Sequence, residues 1–243
     1  MYIDQMKVFA SMQPYFFPYI GYFSLFHAAS EFQFFDTSQY TQKSWMSRNR
    51  IQNYRGVAYV VLPVVKHPHK TPINKIEIFG DDWKRKVVAQ LEFYKKKAPY
   101  YKQVIELVKD CFNENCKMLS CFNIISTIKV CRYIGLNTKH SVFSKTAQKI
   151  ETNAPDETLL EKAKAFGFMN VVNPHGAIGF YDVRKYDEAG VKLRFVKNRL
   201  RTYDQKNDLF IPGLSIIDVL MFNSPKETLK LVADYELMEG VLM

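Results

Sequence analysis

Residues whose chemistry suits group transfer are scattered along the chain, and three sets stand out. The first is the stretch Gln13-Pro14-Tyr15-Phe16-Phe17-Pro18-Tyr19-Ile20-Gly21-Tyr22, where two prolines forbid regular structure. Its amide and phenol groups can donate hydrogen bonds to an anion while staying neutral near pH 7, and Gly21 would let a ligand or a neighbouring backbone come close. An aromatic turn that packs a helix onto a sheet explains Tyr19 equally well. The second set is Ser47-Arg48-Asn49-Arg50, two guanidinium groups and an amide suited to bidentate contact with phosphate, or to a solvated basic turn. The third is Asn173-Pro174-His175-Gly176, in which His175 could move a proton and the flanking Asn173 and Gly176 allow close backbone approach. A turn fixed by Pro174 is the structural alternative. Asp36 stands apart as a carboxylate able to orient a hydroxyl or an amine. The candidate catalytic residues are therefore His175, Asp36 and Tyr22. The candidate substrate- or phosphate-binding residues are Gln13, Tyr15, Tyr19, Gly21, Arg48, Asn49, Arg50, Asn173 and Gly176.

Several chemistries lack their residues. The chain has no Gly-x-Ser-x-Gly elbow, no Gly-x-x-x-x-Gly-Lys-Ser/Thr phosphate loop and no Gly-x-Gly-x-x-Gly fingerprint. His67 and His69 share one face of an extended stretch, but no acidic residue nearby completes a metal site. Cys111, Cys116, Cys121 and Cys131 are spaced 5, 5 and 10 residues apart, whereas zinc ligands usually pair roughly two to four apart. Helix-like surroundings make all four expected packing thiols, reduced and unpaired, in a cytoplasmic protein.

The positioning elements follow from hydrophobic patterning. Residues 6–12 read as a buried strand, 20–29 as a mostly apolar helix and 32–35 as a second strand ending at Asp36. Strand, loop, helix and strand in so short a span make a βαβ unit, which requires two parallel strands. Runs at 57–65 and 73–79 are expected to form a hairpin-like pair. Helices are expected at 83–94, 100–112 and 119–134, the last stopped by Gly135. Alternation then resumes with strands near 141–143, 170–172 and 192–196, helices at 156–166 and 181–188, and terminal helices at 216–222 and 226–236. Ser215 and Asp218 are spaced like a capping box at the start of that terminal pair. The expectation is a single α/β domain over 1–243, with a mostly parallel sheet, flanking helices and a helical insertion around 82–135. In such a sheet ligands bind beyond the carboxyl ends of the strands, where Gln13, Asp36 and His175 fall. A helix starting near Ile20 would also offer free N–H groups to a phosphate there.

Among 243 residues, 34 Lys and Arg against 24 Asp and Glu give a formal charge of +10, which fits nucleic acid, nucleotides, phosphorylated lipids or nothing in particular, and so decides nothing by itself. Lys84-Arg85-Lys86 and Lys95-Lys96-Lys97 sit at the two ends of one expected helix, as a solvated face would. No apolar run reaches the roughly 20 residues of a membrane span, and residues 1–7 lack a secretory leader. Met6-Lys7 reads like a natural start, making 1–5 a dispensable extension.

The Gln13–Phe23 stretch resembles the WbqC-like protein family. So do Phe34-Phe35-Asp36, Ser44-Trp45, Arg48-Asn49-Arg50-Ile51, Lys97-Ala98-Pro99-Tyr100-Tyr101, Asn173-Pro174-His175-Gly176 with Tyr181-Asp182, and the run from Phe210 to Leu220. Where that family carries Asp-Asp-Val, this chain has Asp36-Thr37-Ser38, leaving one carboxylate. The resemblance implies a role in bacterial surface-polysaccharide or O-antigen synthesis. Tyr19-Ile20-Gly21-Tyr22 is also similar in placement to the His-x-Gly-His signature of nucleotidylyltransferases and pantothenate synthetase-like ligases, with both histidines replaced by tyrosine. Together these imply an enzyme that acts on a nucleotide-linked amino sugar and forms an amide by acyl or aminoacyl transfer, with ATP or an acyl donor as co-substrate. The alternatives are a metal-independent glycosyltransferase and a non-enzymatic basic module that binds RNA or a complex.

Overall fold

A computed structural model describes residues 7–150 and 154–240; the reading of Met6-Lys7 as a start lies mostly outside them. Five parallel strands and one antiparallel edge strand make the main sheet. In chain order they are β1 (Val8–Met12), β2 (Glu31–Phe34), β5 (Lys139–Val142), β6 (Asn170–Pro174), β7 (Lys192–Asn198) and β8 (Tyr235–Glu239). Across the sheet the order is β5-β2-β1-β6-β7-β8. As expected, β1 and β2 are adjacent and parallel, with Ser11 opposite Gln33. The chain moves outward from β1 to β2 and β5, then returns to the other side of β1 for β6 and β7. Strand order reverses between β1 and β6, the switch point at which open α/β sheets leave a crevice at their carboxyl edge.

Alternation along the buried strands sends neighbouring residues into different cores. Phe9 packs with Leu159, Leu160 and Ala163 of α5 (Thr158–Phe166) and Val183 and Tyr186 of α6 (Val183–Glu188). Ala10 faces the larger core, with Phe23 and Phe26 of α1 (Ile20–Ala28) and Phe32 and Phe34 of β2. Seven of the nine residues of α1 are buried, so it is buried nearly all round, reaching solvent only in its last turn at His27. Three helices occupy the stretch read as a helical insertion: α2 (Asp82–Leu91), α3 (Tyr101–Phe112) and α4 (Leu119–Ile134), the last ending on Gly135 at φ +78°. The chain closes through α7 (Ile216–Phe222) and α8 (Pro225–Ala233). Among the described residues no helix is long and apolar enough to cross a membrane.

Three expectations are corrected. The hairpin pairs β3 (Arg48–Asn53) with β4 (Gly56–Val61), turning at Gly56 with φ +101°. Residues 73–79 instead hold a 3-10 turn and two isolated bridges, Ile78 with Val64 and Glu77 with Met118. The polar run Arg48–Asn53 hid its strand because its amides bond to distant loops rather than alternating with apolar residues. The last expected helix stops at Ala233, and Tyr235–Glu239 pairs antiparallel with β7. Finally, Cys116 and Cys121 form a disulfide, their Cα atoms 5.7 Å apart. Cys116 lies in the turn before α4 rather than in a helix, which lets the chain fold back onto Cys121. Cys111 and Cys131 are free and buried, and burial pushes both thiols up to about 12. The cysteines therefore no longer argue for a reducing compartment.

Candidate functional site

The carboxyl edge begins with the loop after β1, which distant side chains hold in place. The Asn49 amide donates to the carbonyls of Phe16 (3.1 Å) and Phe17 (2.8 Å), and Ser215 Oγ donates to Phe17 as well (2.7 Å). Asn123 spans the Pro14 and Met46 carbonyls at 3.0 and 2.8 Å. These bonds hold Phe17 at φ +40°, a left-handed conformation that a non-glycine residue keeps only when its surroundings over-determine it. Tyr22 is buried, and its hydroxyl donates to the Gln13 carbonyl at 2.9 Å. Burial, with Tyr15 and Cys131 nearby, holds that phenol well above its ordinary range. Tyr15 is pushed up to about 12 by burial and by Tyr19, and its hydroxyl reaches Gln13 Oε1 at 3.4 Å. Gly21 has a local reason: a Cβ there would stand 2.5 Å from the Tyr19 ring. Thus Tyr19 is exposed and Gln13 and Tyr15 are half-buried, while Tyr22 and Asn49 are spent on shaping the loop.

Asp36, just past β2, is buried and accepts hydrogen bonds from the backbone N–H (3.0 Å) and hydroxyl of Ser144, just past β5. This pair ties two strand ends together. Behind it lies a group that the sequence reading missed. Lys162 of α5 is 1% exposed, and its Nζ lies 2.9 Å from Ser11 Oγ on β1. The same nitrogen sits 3.2 Å from the centre of the Phe35 ring and 4.2 Å from that of Phe143. Burial pushes its ammonium down to about 6, with Asp36 pulling the other way. Its signal was in the helix spacing: Lys162 falls between Leu159 and Phe166 at i+3 and i+7, on the apolar stripe where a lysine is out of place. In the same row of the sheet, Gln33 is fully buried with both amide atoms unpaired, and the Ser141 hydroxyl is unpaired too.

His175 opens a 3-10 stretch directly after β6 and is half-buried, on the same sheet edge as Gln13 and Asp36. Asn173 is buried and hydrogen-bonded to Tyr181, and Gly176 is exposed. The arginines lie elsewhere. Arg48 stacks over Tyr59 at 4.3 Å; Arg50 donates to the Gly213 carbonyl at 3.0 Å. Arg48 lines a groove of about 490 Å³ together with Lys43, Lys66, His67 and Tyr40, and Gln13, Asp36 and His175 are not among its walls. The segment between Asp36 and Tyr40 connects the two places, bonded along residues 71–74. Four extended residues span at most about 14 Å.

Asp218 departs from its expected capping role. Its fully buried carboxylate accepts from Tyr203 (2.6 Å), Tyr94 (2.7 Å), Gln52 (2.9 Å) and Gln205 (3.0 Å). Burial raises it, and these four hydrogen bonds act against the rise. With every nearby donor committed, this network fastens α7 to the β3–β4 hairpin. Among the described residues no cluster of His, Cys, Asp and Glu could hold a metal ion.

The chain is 28% identical over 221 residues to an uncharacterized protein, Rv1507c, of Mycobacterium tuberculosis (strain ATCC 25618 / H37Rv), covering 90% of this chain and 94% of that one. No solved structure matches it. The family model of the WbqC-like proteins matches residues 13–230, from the Gln13 loop through α7 and into α8. The chain belongs to the WbqC-like protein family.

Proposed function

We propose that this protein is an enzyme of bacterial surface-polysaccharide synthesis that forms an amide on a nucleotide-linked amino sugar, by acyl or aminoacyl transfer. The observation that carries the reading is the placement of Gln13, Asp36 and His175 beyond the carboxyl ends of β1, β2 and β6, around the point where strand order reverses. A carboxylate, an imidazole, a half-buried amide and an exposed phenol at such an edge suit amine capture and proton transfer. Family membership supports the polysaccharide setting. The groove of Lys43, Arg48, Lys66 and His67 supports a diphosphate-linked substrate, since its cations lie within reach of Asp36 along residues 36–40. In this arrangement the diphosphate lies in the basic groove and the sugar's amine at Asp36, with His175 handling the proton of the acyl donor's leaving group.

The test is product formation. Incubation with a dTDP- or UDP-amino sugar, ATP and a pool of small carboxylic and amino acids should give a nucleotide sugar heavier by one acyl group and lacking its free amine, read by mass spectrometry. Release of free nucleotide diphosphate with a new glycoside would replace this reading with glycosyl transfer. No ligand-dependent change, together with salt-sensitive RNA binding, would favour the non-enzymatic basic module.

A further inference from the structure

Asp36 and His175 stand beyond β2 and β6, with β1 between them. Two strand spacings of about 4.8 Å put those strand axes roughly 10 Å apart, so His175 is poorly placed to take a proton from a nitrogen held at Asp36. An amine at cellular pH carries that proton and cannot attack an acyl carbon until it is lost.

A second basic group, Lys162, packs against the residue that precedes Asp36. Its Nζ bonds to Ser11 on the central strand and is walled by the rings of Phe35 and Phe143. These aromatics directly precede Asp36 and Ser144, the two residues that hold each other across the strand ends. The row beneath, Ser11, Gln33 and Ser141 in register across β1, β2 and β5, places three polar side chains under α5, and Gln33 and Ser141 are left without partners. Packing alone would fill such a row with apolar groups. Resting on the amide-forming reading above, we propose that Asp36 holds the substrate's ammonium and that the Nζ of Lys162 accepts its proton. The step is R–NH3+ plus Lys–NH2 giving R–NH2 plus Lys–NH3+. The freed electron pair attacks the acyl carbon, the bond from that carbon to its leaving group breaks, and the nitrogen's second proton departs with that group, giving R–NH–CO–R′ and HX; the lysine returns its own proton to solvent after release. The ammonium reaches the buried amine by replacing the Ser144 hydroxyl on Asp36, which exchanges one donor on that carboxylate for another. The Asp36 carboxylate beside this amine suits a cationic amine over a neutral sugar or an anion.

The test uses the full chain carrying isotope-labelled lysine, with the Lys162 signal identified by its loss in Lys162→Met and followed by NMR. The midpoint should lie near 6, and it should fall further in Asp36→Asn, which removes the charge pulling it up. At pH 7.5, D-glucosamine should shift the Lys162 signal saturably, since its ammonium would sit against the buried amine, while N-acetyl-D-glucosamine, with no ammonium to bring there, should leave it in place. Titration near 10.5 would overturn the proposal, as would a signal near 6 indifferent to glucosamine. Thermal-shift binding of a nucleotide amino sugar to the same sample separates the two levels. Binding that persists while the Lys162 signal stays indifferent sinks the proton acceptor alone, and absent binding sinks the reading on which it rests.

Discussion

Replacing Lys162 by Met should change how stability depends on pH. A lysine amine ordinarily titrates near 10.5, and in the fold this one is pushed down to about 6 by burial. Between those values the unfolded chain holds a proton that the native protein lacks, so native stability rises with pH and falls on acidification. Each pH unit inside the window is worth about 1.4 kcal/mol, and the whole interval is on the order of 6 kcal/mol. The attraction of an ammonium to the faces of Phe35 and Phe143 works against this and can return part of it. Urea denaturation at pH 6.5 and 8.5 isolates the lysine when both proteins are measured, because other titrations cancel in the difference. The wild type should gain roughly 2–3 kcal/mol on the variant over those two units. Met fills the same volume without the charge, so the variant should be the more stable protein at pH 6.5. Parallel curves, within about 0.5 kcal/mol, would mean that Lys162 stays charged in the fold, and the reasoning about its burial would fail.

Asn49→Ala should cost about 1–3 kcal/mol in chemical denaturation, because it leaves the buried Phe16 carbonyl unpaired and Ser215 alone holding the Phe17 carbonyl; a loss under 0.5 kcal/mol would show that Asn49 is no clamp. Asp218→Ala should cost about 3–5 kcal/mol by stranding four donors, and Asp218→Asn should cost less, since an amide oxygen can still accept from Tyr94 or Tyr203. Unfolded, unreduced protein should show two reactive thiols per chain with a thiol-reactive chromogen and four after reduction; four before reduction would contradict the Cys116–Cys121 pairing.

Most of the sheet was legible because its signals are local. The apolar run before Gln13, the apolar helix after Pro18 and the run ending at Asp36 specify a βαβ unit without distant contacts, and β1 and β2 pair as that unit requires. What could not be read depends on contacts far apart in sequence. Arg48–Asn53 looks like a polar turn until Asn49 is seen to bond the Phe16 and Phe17 carbonyls and Gln52 to reach Asp218 across 166 positions. Asp218 looks like a capping residue because Ser215 precedes it by three, yet Ser215 caps through its own hydroxyl and Asp218 turns into the core. Lys162 was overlooked since a helix with lysine at 162 and 164 reads as solvated. Only Lys164 is, paired with Glu161 at 2.8 Å on the surface.

The central claim is that one nucleotide-linked amino sugar binds with its phosphates in the Arg48 groove and its amine at Asp36. Thermal unfolding against rising dTDP-amino sugar tests it most directly, in the wild type and in Arg48→Ala and Asp36→Asn. A ligand at about 100 times its Kd adds about 2.7 kcal/mol, which for a chain of this length is roughly 5–10 °C in Tm. The account predicts that rise in the wild type. It also predicts a response to dTDP alone that Arg48→Ala weakens and Asp36→Asn leaves intact, and a preference for the amino sugar over its N-acetylated form that Asp36→Asn abolishes. No shift with any nucleotide sugar, or a shift that both variants reproduce in full, would contradict it.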